Sequence, residues 1–126
     1  MSRYDLEDRL VKFAIAILDV CSRLPNHKLN SSIESQLIRS GISPALMYGE
    51  AQAAESKADF IHKLGILLKE LRESRISLRI ILEKPILNDD ATYKVYQECN
   101  ELIGIFTASI GTAKAKMIQA KQKDSK

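Results

Sequence analysis

Three groups of residues in this chain have types and spacings that could do chemistry. The first is a run of lysines at the C-terminal end. Between residues 112 and 126 stand Lys114, Lys116, Lys121, Lys123 and Lys126 against one acid, Asp124, a local charge of +4. The whole chain carries +3, so the residues before 112 sum to −1 and the basic character belongs to this end. Lysines so placed can neutralise phosphates of RNA or DNA, in a contact that is weak, backbone-directed and salt-sensitive. They can also be no more than the solvated end of a helix, where cations oppose the dipole. The second group is Arg39 with Glu70 and Glu73, which could form an ion pair between two helices or contact a ligand or partner. The third is two histidines, His27 and His62, and two cysteines, Cys21 and Cys99.

The third group leads nowhere catalytic. No HExxH and no Glu-x-x-His pair is present, so neither zinc nor a dimetal bundle site is indicated. The cysteines have no CxxC or Cys/His neighbour and lie in helical apolar patterns, as small buried hydrophobes do. The serines lack a base and an elbow motif, and Gly104 and Gly111 sit inside a helical pattern rather than a phosphate loop. The expectation is therefore a protein without catalytic residues, metal or cofactor. Trp is absent and aromatics are 6% of residues, which speaks against base stacking or sequence-specific readout.

The elements that must carry these residues are helical. Gly (5) and Pro (3) are too few for a turn-rich sandwich or barrel. Hydrophobic residues at 45% and charged residues at 28% suit one globular domain of 126 residues. Four segments have helical periodicity. In residues 4–24, Leu6, Leu10, Phe13, Ile17 and Leu24 form one face, with Val11, Ala14, Leu18 and Cys21 beside it. Residues 29–55 follow Pro25, with Asn30, Ser31 or Ser32 as cap and Glu34 completing a capping box with Ser31. Pro44 lies inside that segment and should kink it, because proline cannot donate to the Ser40 carbonyl. Gly41, Ala45, Gly49 and Ala53 recur every four residues, which suggests close approach of another helix. Residues 57–83 repeat Phe60, Leu64, Leu67, Leu71, Leu78 and Ile81, with Ser74 as the interruption. Residues 91–119, capped by Asp89 or Asp90, repeat Tyr96, Cys99, Ile103, Phe106, Ile110, Ala113 and Met117.

Four long helices with short links predict an all-α, up-down-up-down antiparallel bundle over residues 1–119. Residues 120–126 lose the pattern and are expected to fray as a basic tail. An antiparallel second and third helix joined near residue 56 would set Arg39 opposite Glu70 or Glu73, each about 17 residues from the joint. Off the main seams, Val11, Ile15 and Leu18 on the first helix and Val95, Leu102 and Ile105 on the fourth exceed what a slim monomer buries. Such surplus predicts a homo-oligomer. The acidic, non-apolar N-terminus predicts no signal peptide and no window is apolar enough to span a membrane, so the expected location is cytoplasmic.

The stretch from Ser35 to Ala51, with Ser35-Gln36-Leu37 leading to Ser43-Pro44-Ala45, resembles the SQLRRAAxSIPANIAEG signature of the four-helix bundle proteins encoded in 23S rRNA intervening sequences. Asp59-Phe60, the Leu68-Lys69-Glu70-Leu71-Arg72-Glu73 run, and Glu101–Phe106 with Thr112–Lys116 resemble its later segments. Leu46 replaces the family's usual Asn, and Gly49-Glu50 reverses its Glu-Gly. The resemblance implies an up-down bundle assembled as a ring-like homopentamer, with no established activity and a suggested link to RNA. The accessory subunits of diversity-generating retroelements have a similar bundle and pentamer and bind nucleic acid and a reverse transcriptase, which implies an accessory role beside a reverse transcriptase as one alternative. A protein-interaction scaffold whose tail only solubilises the chain is another.

Overall fold

The computed structural model describes residues 3–124, in which four helices and no strands are found. They are α1 (Arg3–Arg23), α2 (Asn30–Gln52), α3 (Lys57–Glu83) and α4 (Asp90–Asp124). Backbones approach within 8 Å for α1–α2, α2–α3, α3–α4 and α1–α4, and for neither diagonal pair. The helices therefore stand as the corners of a square around one core.

The core comes from the seams that periodicity marks out. Leu10, Phe13, Ile17 and Val20 of α1 meet Leu37 and Tyr48 of α2, Leu64, Leu67, Leu71, Leu78 and Ile81 of α3, and Cys99, Leu102 and Phe106 of α4. Each such side chain contributes about 1.5–3 kcal/mol on burial. Tyr48 and Phe106 meet edge to face across the diagonal, with ring centroids 5.8 Å apart.

Contacts fix the direction of neighbouring helices. On α2 and α3, Arg39 pairs with Glu70 and Glu73, whereas Glu50, further along α2, pairs with Lys63, earlier on α3. These two helices run antiparallel. On α1 and α4, Arg9 pairs with Glu98 and Arg23 with Asp89, so this pair is antiparallel as well.

The ends of the helices have separate causes. Ser56 is extended and its Oγ accepts from the Asp59 N–H at 3.0 Å, which starts α3. Asp89 starts α4, its Oδ1 accepting from the Thr92 N–H at 2.7 Å. Those bonds to Thr92, with Arg23 adding to them, hold the Asp89 carboxyl below its ordinary range. The capping box expected at α2 does not form. The helix follows Leu29, which supplies no side-chain cap. Asn30 Nδ2 donates instead to the Pro25 carbonyl at 2.9 Å and Ser31 Oγ to the Lys28 carbonyl at 2.9 Å, so both polar groups tie the link backward. The α2 helix runs on through the buried Pro44. At the other end of the chain, α4 stays helical to Asp124, five residues past the end its apolar seam suggests. Ala, Lys and Gln are strong helix formers and extend it without a seam.

Two packing expectations need correction. In the four-residue row on α2, only Gly41 shows a glycine's close approach. A Cβ there would stand 2.6 Å from Ile17 Cγ2 and 2.7 Å from Cγ1, whereas at Gly49, and at Gly104 and Gly111 on α4, it would meet nothing within 4 Å. Two crossing helices are closest at one point and part on either side of it. The surplus apolar stripe is also smaller than expected. Val95 and Leu102 are buried inside the bundle and Ile105 is half-buried, while Val11, Ile15 and Leu18 stay exposed.

Candidate nucleic-acid interface

The C-terminal lysines stand on the part of α4 that outruns its neighbours. Glu98 pairs with Arg9, and Arg3, the first residue of α1, lies six residues before Arg9; six residues beyond Glu98 is Gly104. From there α4 passes the start of α1. Cys99 donates its S–H to the Leu71 carbonyl at 3.2 Å, and α3 begins 14 residues before Leu71, which corresponds to Ala113. Past that level α4 has no α3 beside it either. At 1.5 Å per residue the unaccompanied segment to Asp124 is about 16 Å long.

Lys114, Lys116, Lys121 and Lys123 are all exposed on this segment, and Lys126 lies outside the described residues. At 100° per residue, Lys114 and Lys121 share one face and Lys116 and Lys123 the opposite one. The projection is therefore basic on two sides. At its base an open groove of about 470 Å³ lies between α3 and α4. Lys57 and Lys116 stand at its sides, Phe60, Ala108 and Ala113 supply apolar lining, and Ser109 and Thr112 supply polar lining. Lys57 opens α3, whose N-terminus adds the positive end of a helix dipole. Lys57 had no part in the expected site. Its 59-residue distance from Lys116 hides the proximity, and only the antiparallel packing of α3 on α4 creates it.

The Arg39 group sits elsewhere. Arg39 Nη1 donates to Glu70 Oε2 at 2.6 Å and Nη2 to Glu73 Oε2 at 2.8 Å. Glu70 is buried and Arg39 is more than half exposed. The Arg39 guanidinium is the main reason that the Glu73 carboxyl sits below its ordinary range. Beneath this pair, Ser74 Oγ donates to Ser40 Oγ at 2.8 Å, both residues fully enclosed. The Ser74 that interrupts the α3 seam is thus half of a satisfied polar pair, and sequence spacing does not reveal its partner. The α1–α4 clasp of Arg9 with Glu98 and Glu101 was equally unforeseen. Every charge in these groups is answered inside the chain, which suits a register-fixing role.

The remaining reactive types are placed as structural residues. Both thiols are free and buried, and desolvation pushes Cys21 up to about 11 and Cys99 up to about 12, so neither is a thiolate near neutral pH. His27 Nδ1 accepts from the Leu29 N–H at 3.1 Å and His62 is exposed on α3. Among the described residues no group of three or more His, Cys, Asp or Glu could hold a metal ion, and no helix is long and apolar enough to cross a membrane.

Comparison with known proteins bears on the bundle more than on its projection. The family model described as 23S rRNA-intervening sequence protein matches residues 4–108. Among solved structures, a protein of unknown function from the S23 ribosomal protein family of Bacteroides thetaiotaomicron superposes with a TM-score of 0.77 at 28% identity, covering 83% of this chain and 97% of that one. No curated protein matches the chain. The lysines from Lys114 onward lie beyond the matched stretch.

Proposed function

The chain belongs to the 23S rRNA-intervening sequence protein family, and from that premise we propose that it is a non-enzymatic, homo-oligomeric helical module that holds RNA or DNA by the phosphates. The observation that carries this reading is the projecting last third of α4, with four exposed lysines on two opposite faces. The helix keeps these cations apart and exposed at the end of the bundle, where phosphates can reach them. The groove beside Lys57 and Lys116 extends the basic surface onto α3.

Self-association multiplies the effect. In the pentamer that family resemblance suggests, five copies of a +4 end would carry about +20. Lysine is a point charge on a flexible stem, so it attracts phosphate without reading base edges. Binding should be insensitive to sequence and steeply dependent on salt.

Titration of a labelled single-stranded RNA and a duplex DNA at several salt concentrations tests the reading. The parent should bind both at low salt. A chain truncated after Ala113 should bind less and show a flatter slope of log affinity against log salt, by about 0.7–0.9 for each phosphate that its lysines no longer neutralise. It should keep its fold, because beyond Ala113 the seam holds only Met117. If the parent shows no binding at low salt, the lysines merely solvate a helix end and the protein is a scaffold for other proteins.

A further inference from the structure

We infer that two different faces of this chain dock on each other between copies: the exposed α1 ridge of Val11, Ile15 and Leu18, and a trough along α3 centred on Ile76 and Ile80. The inference rests on the self-association proposed above and assigns its surfaces.

Both faces are apolar residues left uncovered by a filled core. On α1, Val11 is 44% exposed, Ile15 52% and Leu18 43%, and their 4, 3 spacing makes one ridge about 10 Å long. On α3, Ile76 and Ile80 are 49% and 48% exposed on successive turns. Four shallow hollows border this pair: one over Arg79, Glu83 and Lys84, one toward Gly65 and Leu68, one toward Arg39 between α2 and α3, and one toward Leu29, Ile33 and Pro85. Ile76 or Ile80 lines each, so together they form one trough along the helix. Five large, half-exposed aliphatic side chains on two helices are more than scattered surface hydrophobes.

Charge identifies the occupant. Glu7, Asp8 and Asp19 border the ridge, with Lys12 occupied by Asp8 at 2.8 Å. The trough is bordered by Lys69, Arg72, Arg79 and Lys84, with Arg79 occupied by Glu83 at 2.7 Å and Glu73 at its edge answered by Arg39 at 2.8 Å, so the balance is basic. An acidic rim around one apolar patch and a basic rim around the other suit each other in sign. A trough would repel a second trough, and a ridge a second ridge.

The placement of the faces decides the symmetry. The α1 and α3 helices are diagonal corners with no backbone approach between them, so ridge and trough look away from each other. One copy cannot cover its own trough. A contact between two unlike patches is heterologous, and such contacts end only by closing a ring.

The test uses the full chain with Ile15→Glu on the ridge and Ile80→Glu on the trough, each half-exposed and so compatible with folding; circular dichroism checks this. If either glutamate unfolds the chain, Ile15→Ser and Ile80→Ser serve instead. Mass by sedimentation should give the parent as a multiple of 14.2 kDa and each variant alone as 14.2 kDa. An equimolar mixture of the two should give a dimer and nothing larger, since each variant keeps the one good face that the other needs. Variants that remain at the parent's mass, or a mixture that remains monomeric, would overturn the assignment while leaving self-association intact. A parent that is itself monomeric would instead remove the self-association on which the assignment rests.

Discussion

The close approach at Gly41 makes a demanding prediction, because a substitution that stabilises at one glycine should gain nothing or cost stability at another eight residues away on the same helix. A Cβ at Gly41 would lie 2.6, 2.7 and 2.9 Å from Cγ2, Cγ1 and Cβ of Ile17. Carbon atoms prefer about 3.5–4.0 Å, so the overlap is about 1 Å. Ile17 is fully buried, and β-branching holds it to few rotamers, so it cannot swing aside and α1 must shift from α2. Overpacking of this kind costs about 1–3 kcal/mol. Against it, alanine gains about 1 kcal/mol over glycine in a helix interior. Gly41→Ala should therefore be neutral to about 2 kcal/mol destabilising, while Gly49→Ala, with open space around it, should stabilise by up to about 1 kcal/mol. Urea unfolding at one fixed protomer concentration measures both, since linked assembly would otherwise confuse the comparison. Ile17→Ala removes two of the three crowded atoms and should turn Gly41→Ala toward the behaviour of Gly49→Ala. Equal effects at Gly41 and Gly49 in the parent would refute the reasoning.

Three further outcomes follow from buried polar groups and thiols. Ser40→Ala or Ser74→Ala alone should destabilise by about 1–3 kcal/mol by stranding the other hydroxyl, whereas the double variant should lie near the parent in urea unfolding. Arg39→Ala should lower the melting temperature, because it leaves the buried Glu70 without its cation. Glu73 is held below its ordinary pKa in the folded state, so its stabilisation is present above the unfolded value of about 4.3 and fades as pH falls through the folded one. The gap in melting temperature between parent and Arg39→Ala should accordingly shrink toward low pH. The thiols of Cys21 and Cys99, raised to about 11 and about 12, should react with a disulfide reagent at pH 8 only on unfolding. Their folded pKa values exceed the unfolded value of about 8.5, so stability should decline as pH rises past 8.5, a decline that Cys99→Ala reduces.

Repeats of three and four residues, broken at Pro25, near residue 56 and at Asn88-Asp89, locate four helices whose ends fall close to the observed ones, except that α4 runs five residues further. Local chemistry also identifies the cap at Asp89, because a cap involves only its own first turn, and the cap at Ser56 was equally local but went unread. The same chemistry misleads at Ser31, whose hydroxyl has the Lys28 carbonyl within reach and takes it. Arg39, Glu70 and Glu73 could be aligned by counting from one short joint, since both helices rise by the same amount per residue.

By itself, then, the sequence determined the helices, their seams, the neutral-to-acidic body and the basic end, all of which depend on neighbours within a turn or two along the chain. The rotation of each helix about its axis was decided only by the tertiary structure. Wide apolar faces such as those on α1 and α4 are compatible with several rotations, and packing chose to bury Val95 and Leu102 while leaving Val11, Ile15 and Leu18 outside. The same collective choice set the single crossing point at Gly41, joined Ser40 to Ser74, clasped Arg9 to Glu98, and brought Lys57 beside Lys116. Each depends on the relative height and rotation of two helices, a quantity that all four settle together when they close around one core.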